Sequence, residues 1–295
     1  MDKIYITADP HGNYLYLRNI LANSNTSIIN PTIIILGDFG ANFYLDKRDE
    51  KFKIKLEKFA STYNINYFII RGNHEQRPSL IYAQYPSLWS TEKFWNGIVM
   101  YENKFPHIKY ATDYPSIYEI PIENKIVQTF VLPGAYSVDK YYRLSNHWSW
   151  FSEEQCNTKE QEIALKIIEN QKDWNLILSH TCPISYEPTD LFLPMIDQTT
   201  VDKTTERWLQ KIQNNINYDL WAWGHFHENR IYPTQENKNH IMLYNDCVFD
   251  LNTFYNNAPI EQCFIKTFET AKINNLNCFF KNLLYNIYSK KIKEK

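Results

Sequence analysis

Glycine is scarce in this 295-residue chain, 7 residues in all, and none stands in a G-x-G-x-x-G or G-x-x-x-x-G-K-[ST] pattern. That excludes the dinucleotide fingerprint and the phosphate loop of nucleotide-binding α/β proteins. No G-x-S-x-G occurs either, which excludes a serine-nucleophile hydrolase of the α/β type. No apolar run reaches the roughly 18–20 residues that span a bilayer. The chain opens directly on an apolar strand pattern, without the positive segment and apolar stretch of a signal peptide. The expected location is therefore cytoplasmic, with no membrane partner. Charge of one sign is missing too: 31 Lys and Arg against 33 Asp and Glu leave a formal −2. Extended non-specific nucleic-acid binding needs a basic face and is disfavoured. Cysteine is sparse and unpatterned. Cys156, Cys182, Cys247, Cys263 and Cys278 make an odd number with no C-x-x-C spacing. Neither a structural zinc site nor a disulfide framework is expected. Cys182, two residues after His180, could line a site, though a small apolar filler is the simpler role.

What is present is an ordinary globular composition, 44% hydrophobic and 22% charged, enough to bury a sizeable core in one large α/β domain. The first third alternates strand and helix. "KIYITA", "TIIIL" and "NYFII" read as strands, with helices over 13–23 and 46–63 between them. Continuous apolar runs between helices predict a parallel sheet buried on both faces. Residues 76–125 are broken by Pro78, Pro86, Pro106, Pro115 and Pro121 and are expected to form loops and short strands, with a β-hairpin at "IKYATDYPSIYEIP". "IVQTFVLPG", "WNLILSH", "YDLWAWGH" and "HIMLYND" read as strands of a second sheet, with helices over 152–170 and around 203–215. Ser152 and Gln155 have capping-box spacing for the first of these. The core domain is expected to span 1–258. A helical extension follows over 259–295 and ends in the basic tail "SKKIKEK".

Polar residues cluster just past these apolar runs. Asp9 and His11 stand in "ITADPHGN", Asp38 in "IIILGDFG", Asn73 and His74 in "FIIRGNHE", His180 in "LILSHTCP", and His225 and His227 in "WAWGHFHE". Sites in parallel sheets lie beyond the carboxyl ends of the strands. Two imidazoles at i and i+2 on an extended segment point the same way. Strand ends converging on one edge would assemble an Asp/Asn/His pocket with room for two ions. The chemistry this suits is phosphate-ester hydrolysis. Two divalent ions about 3.5–4 Å apart neutralise the anionic ester, generate hydroxide near neutral pH and stabilise the attacking and leaving oxygens. Asp38, between the other ligands in chain order, is the carboxylate placed to bridge them. The His-rich set suits Mn, Fe, Zn or Ni better than Ca.

Taken together, D-x-H, G-D, G-N-H-E, a later His and G-H-x-H resemble the calcineurin-like metallophosphoesterase superfamily, over roughly residues 3–250. The resemblance implies a four-layer α/β/β/α sandwich of two mixed β-sheets and a dinuclear metal centre. It implies Asp9, His11 and His227 on one ion and Asn73, His180 and His225 on the other, with Asp38 bridging. Asn73 would also stabilise the transition state. His74 would bind no metal; the matching residue faces the substrate and assists the leaving group, a role suited to a side chain whose ordinary pKa is near 6.5. The substrate would be a phosphorylated small molecule, a nucleotide or a nucleic-acid end, as monoester or diester.

Two features depart from the protein Ser/Thr phosphatases of that superfamily, or agree with them only in part. Their G-D-x-x-D-R-G is here "GDFGANF", so the second Asp, which orients the catalytic His, is missing. "RGNHE" does match theirs, and Arg71 stands where the matching Arg grips phosphate. In "GAYSVDKYYRL", Asp139, Lys140 and Arg143 follow a core strand, and Arg143 is a second candidate for the phosphate. His147, Trp148 and Trp150 could form a stacking wall. His107 and His240 are expected to be surface or structural residues. A protein Ser/Thr phosphatase, a nuclease or cyclic-nucleotide phosphodiesterase, and a catalytically silent metal-binding scaffold stay open as alternatives.

Overall fold

In the strands of the first third, neighbouring apolar side chains face opposite ways into different cores. Ile4, Ile6, Ile34, Leu36, Phe68 and Ile70 join one cluster, while Tyr5, Ile33, Ile35, Tyr67 and Ile69 join another. A strand buried on both faces has this two-sided pattern. The computed structural model describes residues 2–266 apart from 21–28, 193 and 195. In chain order its elements begin β1 (Asp2–Thr7), α1 (Tyr14–Asn19), β2 (Ile29–Leu36), α2 (Lys47–Tyr63), β3 (Asn66–Ile70) and α3 (Pro78–Gln84). Then come β4 (Trp89–Phe94), β5 (Gly97–Glu102), β6 (Ile108–Ala111), β7 (Ser116–Ile122), β8 (Lys125–Leu132), α4 (Lys140–Ser145), α5 (Thr158–Asn170) and β9 (Leu176–Ser179). The last are α6 (Thr204–Gln213), β10 (Leu220–Trp223), β11 (Arg230–Gln235), β12 (Lys238–Met242), β13 (Cys247–Asp250), α7 (Leu251–Tyr255) and β14 (Phe264–Lys266).

The strands form two mixed sheets, ordered β14-β13-β1-β2-β3-β6-β5-β4 and β11-β12-β10-β9-β8-β7. β1, β2, β3 and β6 run parallel in the first. β8, β9, β10 and β12 run parallel in the second. The sheets face each other across the cluster that holds Ile6, Ile34 and Phe68 from one and Val131, Leu178 and Ala222 from the other. Outside the first sheet, α1 and α2 bury Tyr16, Leu17, Leu56 and Ala60 against Ile33, Ile35 and Tyr67. Outside the second, α5 and α6 bury Ala164, Ile168, Trp208 and Leu209 against Ile177, Trp221 and Trp223. This is the expected α/β/β/α sandwich. α2 keeps its predicted span because Asp46 caps Arg48 N at 2.8 Å and Asn64 ends it in the left-handed conformation.

Three expectations are corrected. Residues 108–121 are no hairpin: β6 completes the first sheet, and β7 opens the second by pairing with β8 from Ser116↔Val131 to Ile122↔Lys125. In the connection between them, Asp113 accepts from Ser79 N at 2.8 Å and faces Arg71 at 3.8 Å. The helix expected from Ser152 starts at Thr158, and its capping box is Asn157 with Glu160. Residues 153–155 lie outside it, with their carbonyls accepting hydrogen bonds from Arg71 and Arg77. The helical extension expected from Pro259 opens instead as a 3-10 turn over Ile260–Cys263 and then β14. Its remainder, with Cys278 and the basic tail, lies outside the described residues. Among those residues, no helix is long and apolar enough to cross a membrane.

Candidate metal centre

Every motif residue falls just past a strand end. Asp9 and His11 follow β1, Asp38 follows β2, Asn73 and His74 follow β3, His180 follows β9, and His225 and His227 follow β10. The loops are tied to one another by backbone bonds: Asp9 N donates to Gly37 O at 3.2 Å, His11 N to Asp38 O at 2.9 Å and Gly224 N to His180 O at 2.9 Å. Close approach needs glycine at two places. A Cβ on Gly72 would stand 2.1 Å from Asp38 Oδ1, and one on Gly37, where φ is +89°, would stand 2.2 Å from His180 Nδ1. The donors themselves are bent into place. Asp9, His11, Asp38, His225 and His227 have φ of 51°, 44°, 51°, 74° and 57°, a left-handed conformation that costs about 1–3 kcal/mol per residue and gathers at functional sites.

The donor atoms form two groups that meet at Asp38. On one side, His11 Nε2 is 3.0 Å from His227 Nε2 and 3.8 Å from Asp38 Oδ2. Single ligand atoms of Asp9, His11, Asp38 and His227 all lie within 4.8 Å of one another. On the other side, Asn73 Oδ1 is 2.8 Å from His180 Nε2 and 3.1 Å from His225 Nδ1, and Asp38 Oδ1 is 3.5 Å from His180 Nε2. Two ligand atoms each about 2.0–2.1 Å from one ion stand about 3 Å apart, the spacing of the His11–His227, Asn73–His180 and Asn73–His225 pairs. The His180 tautomer is set as well. Its Nδ1–H donates to Leu36 O at 2.6 Å, which leaves the Nε2 lone pair for the Asn73 side. Asp38 Oδ1 in turn accepts from Asn73 N at 3.0 Å and His74 N at 2.9 Å.

Electrostatics point the same way. Burial and then the neighbouring Asp38 raise the Asp9 carboxyl well above its usual range. Burial opposes ionisation of Asp38 too, but His180, His74 and His11 overcome it and hold that carboxyl low. Burial pushes Glu75 up to about 8, with Asp38 adding to it. His74 and His180 are lowered, chiefly by burial, and His225 is lowered to about 3 by burial and then His180. Neutral imidazoles are the form that binds a metal. Asp9 Oδ1 is buried with no hydrogen-bond partner, an arrangement a cation would satisfy. The residues present fit divalent ions.

His74 stands beside this centre rather than in it. Its ring lies 5.3 Å from that of His11, stacks on Phe43 at 6.0 Å, and its Nε2 is 3.8 Å from Asp139 Oδ2. Asp139 is thus the carboxylate facing the ring that "GDFGANF" left without one. Its own carboxyl is raised by burial, against the pull of Arg143.

The two arginines expected at the substrate phosphate are corrected. Arg71 is 2% exposed and its guanidinium donates to the carbonyls of Glu153, Glu154 and Asp113. Arg143 is 1% exposed, with Nε 3.1 Å from Asp139 Oδ1 and Nη1 donating to Ser149 O at 3.2 Å. Both guanidiniums are enclosed by protein groups, with Arg71 Nε and Arg143 Nε left without a hydrogen bond. The expected stacking wall is broken up too. Trp150 donates to Glu154 Oε2 at 2.9 Å and carries Lys140 over its ring at 4.1 Å, Trp148 meets Tyr142 edge-on, and His147 turns the chain at φ 55°. His107 pairs with Glu57 at 2.6 Å, and His240 is buried against Tyr186 and Tyr218, so both are structural. Cys182 is a core filler among Trp208, Leu209 and Trp223.

Sequence reasoning missed Glu75, Ser137 and Glu154 and gave Asp139 no role at the site. Glu75 accepts from Phe39 N at 3.1 Å and Gly72 N at 3.3 Å, joining the loops after β2 and β3. Ser137 and Asp139 follow the end of β8, so the strand-end rule applied to "FVLPGAYSVD" would have found them.

Residues 2–229 match the calcineurin-like phosphoesterase family. No curated protein matches the chain in sequence. Among solved structures, a dimetal phosphatase from Danio rerio is similar at 14% identity and TM-score 0.46, over 84% of this chain and 95% of that one. The phosphopantetheinyl hydrolase of Mycobacterium tuberculosis is similar at 14% and TM-score 0.44, over 90% and 95%. A 5′-nucleotidase from Candida albicans is similar at 14% and TM-score 0.42, over 90% of this chain and 50% of that one. The family match takes in every donor from Asp9 to His227, and the chain belongs to the calcineurin-like phosphoesterases, a family of metallophosphoesterases.

Proposed function

We propose that this chain hydrolyses a small phosphate ester at a dinuclear centre. Asp9, His11 and His227 would hold one ion and Asn73, His180 and His225 the other, with Asp38 shared between the two groups. The observation that carries this reading is the division of Asp38: Oδ2 faces His11 at 3.8 Å while Oδ1 faces His180 at 3.5 Å. Two divalent ions bound there supply the charge that neutralises the phosphate and the hydroxide that attacks it. The chain's own residues do the rest. Asn73 and the neutral imidazoles keep their lone pairs turned inward. His74, held beside Asp139, presents a ring N–H as a hydrogen-bond donor to the ester oxygen that leaves, where it stabilises the charge that grows there.

Arg71 and Arg143 are buried against Glu154 and Asp139, which counts against the phosphate grip that the protein Ser/Thr phosphatase reading gives them. Cys156, Cys182, Cys247 and Cys263 are free thiols, which suits a reducing cytoplasmic compartment. The test is hydrolysis of p-nitrophenyl phosphate and bis-p-nitrophenyl phosphate by chelator-stripped protein reloaded with Mn, Zn, Ni or Mg. Metal-dependent release of p-nitrophenol supports the reading, and the preferred ester separates monoesterase from diesterase. Two bound ions with no turnover on either ester would favour a silent metal-binding scaffold.

A further inference from the structure

Asn73 has to present its oxygen, not its nitrogen, to the pocket shared by His180 and His225. The two ends of a carboxamide are alike in size, so shape alone does not select between them. Something on the far side of the side chain must. That side is occupied by Ser137, wholly buried, whose Oγ lies 2.9 Å from Asn73 Nδ2. The same Oγ is bonded to Arg143 Nη2 and to Glu154 Oε2.

A hydroxyl has one proton to donate and two lone pairs to accept with. An arginine only donates and a carboxylate only accepts. The Ser137 proton therefore goes to Glu154, and one lone pair takes Arg143. The remaining lone pair can be satisfied only by a donor. A flipped Asn73 would set its carbonyl oxygen against that lone pair and its NH2 against the two imidazoles. The hydroxyl is itself pinned, since Glu154 Oε1 accepts from Ser137 N at 2.9 Å and Glu154 Oε2 accepts from Trp150 Nε1 at 2.9 Å.

We infer that Ser137, saturated by Glu154 and Arg143, is a positioning residue that sets the amide orientation of Asn73 and so completes the metal site on the His180 side. This rests on the dinuclear reading above. It also gives Arg143 a use in place of the one it lost: it holds the hydroxyl that orients a ligand.

The test compares Ser137→Ala with Ser137→Cys. Alanine removes the hydrogen bonds and leaves a small void. Cysteine fills the space but is a weak donor and acceptor. Chelator-stripped wild type and both variants are titrated with Mn(II) by calorimetry, with circular dichroism to verify the fold. The expected result is two ions in the wild type. In both variants one ion keeps wild-type affinity and the other weakens by about 10–100-fold, the usual effect of losing a ligand's hydrogen-bond partner. Two ions at unchanged affinity in both variants would overturn the inference and leave the dinuclear reading standing. Weakening in Ala but not in Cys would also overturn it, by assigning the effect to packing. A wild type that never takes up a second ion would overturn the dinuclear reading, and this inference with it.

Discussion

Asp38 and His74 each stand just past a strand of the first sheet, yet their surroundings differ. Asp38 is buried among three imidazoles and accepts backbone bonds from Asn73 and His74. Asp38→Asn keeps the shape and removes the charge. It is expected to lose at least one ion, seen by metal analysis, and to drop turnover by several orders of magnitude. A variant with full metal content and full activity would remove Asp38 from the centre. The His74 ring has a carboxylate at 3.8 Å, and it is the backbone N–H of His74, not the ring, that donates to Asp38 Oδ1 at 2.9 Å. His74→Ala is expected to keep both ions and lose about 10²–10³-fold in turnover, as for loss of one donor to a developing oxyanion. Loss of metal instead would make it a ligand.

At the scale of elements, the helices that cover the second sheet do more than pack. α6 carries Glu206 inward, where Oε1 accepts from Thr181 Oγ1 at 2.9 Å, one residue past His180. Burial pushes this carboxyl from about 4.5 up to about 7. Across that interval the folded chain keeps a proton that the unfolded chain has released. The stability this gives is full below about pH 4.5 and is lost as the pH rises through about 7. Glu206→Gln should therefore flatten the stability–pH curve between those values, where one such group contributes a slope of up to about 1.4 kcal/mol per pH unit. Urea unfolding of both proteins at saturating Mn(II) over this range checks it. Equal slopes would mean that Thr181 and Lys203 keep Glu206 ionised in the fold. α5 shows a different dependence. Its start at Thr158 follows from Arg71 and Arg77 taking the carbonyls of residues 153–155, a tertiary demand that overrides the local Ser152–Gln155 pattern.

At the scale of the molecule, the centre is a seam between two sheets. β1, β2 and β3 bring Asp9, His11, Asp38 and Asn73, and β9 and β10 bring the other histidines. An ion bound there links both sheets and exists only in the folded state. Binding at a thousand times Kd adds about 4.1 kcal/mol per ion, and each kcal/mol moves Tm by about 2–4 °C in domains of 150–250 residues. Chelation is thus expected to lower Tm by on the order of 10 °C, reversed by Mn(II) or Zn(II) in scanning calorimetry. An unchanged Tm would mean that the Asp9–Asp38 pair is relieved without a cation.

What the chain's residue order determined by itself was the central strands of both sheets and the parallel run of its first third, because both follow local rules, whereas β11, β13 and β14 carried no such signal. Apolar runs between helices announce buried strands, and polar residues just past them announce the edge where a site forms. What only the tertiary structure decided lies between segments distant in sequence. Residues 108–122 divide between two sheets, β6 pairing with β3 and β7 with β8, with Asp113 between them bonded to Ser79 N. Arg71 and Arg143 turn inward because carbonyls and carboxylates more than 60 residues away, or across a buried loop, reach them first. Asp139 meets His74, and Ser137 meets Asn73, across a gap of about 64 residues. No periodicity within a strand or helix encodes those contacts, since they exist only once both sheets have closed on one another.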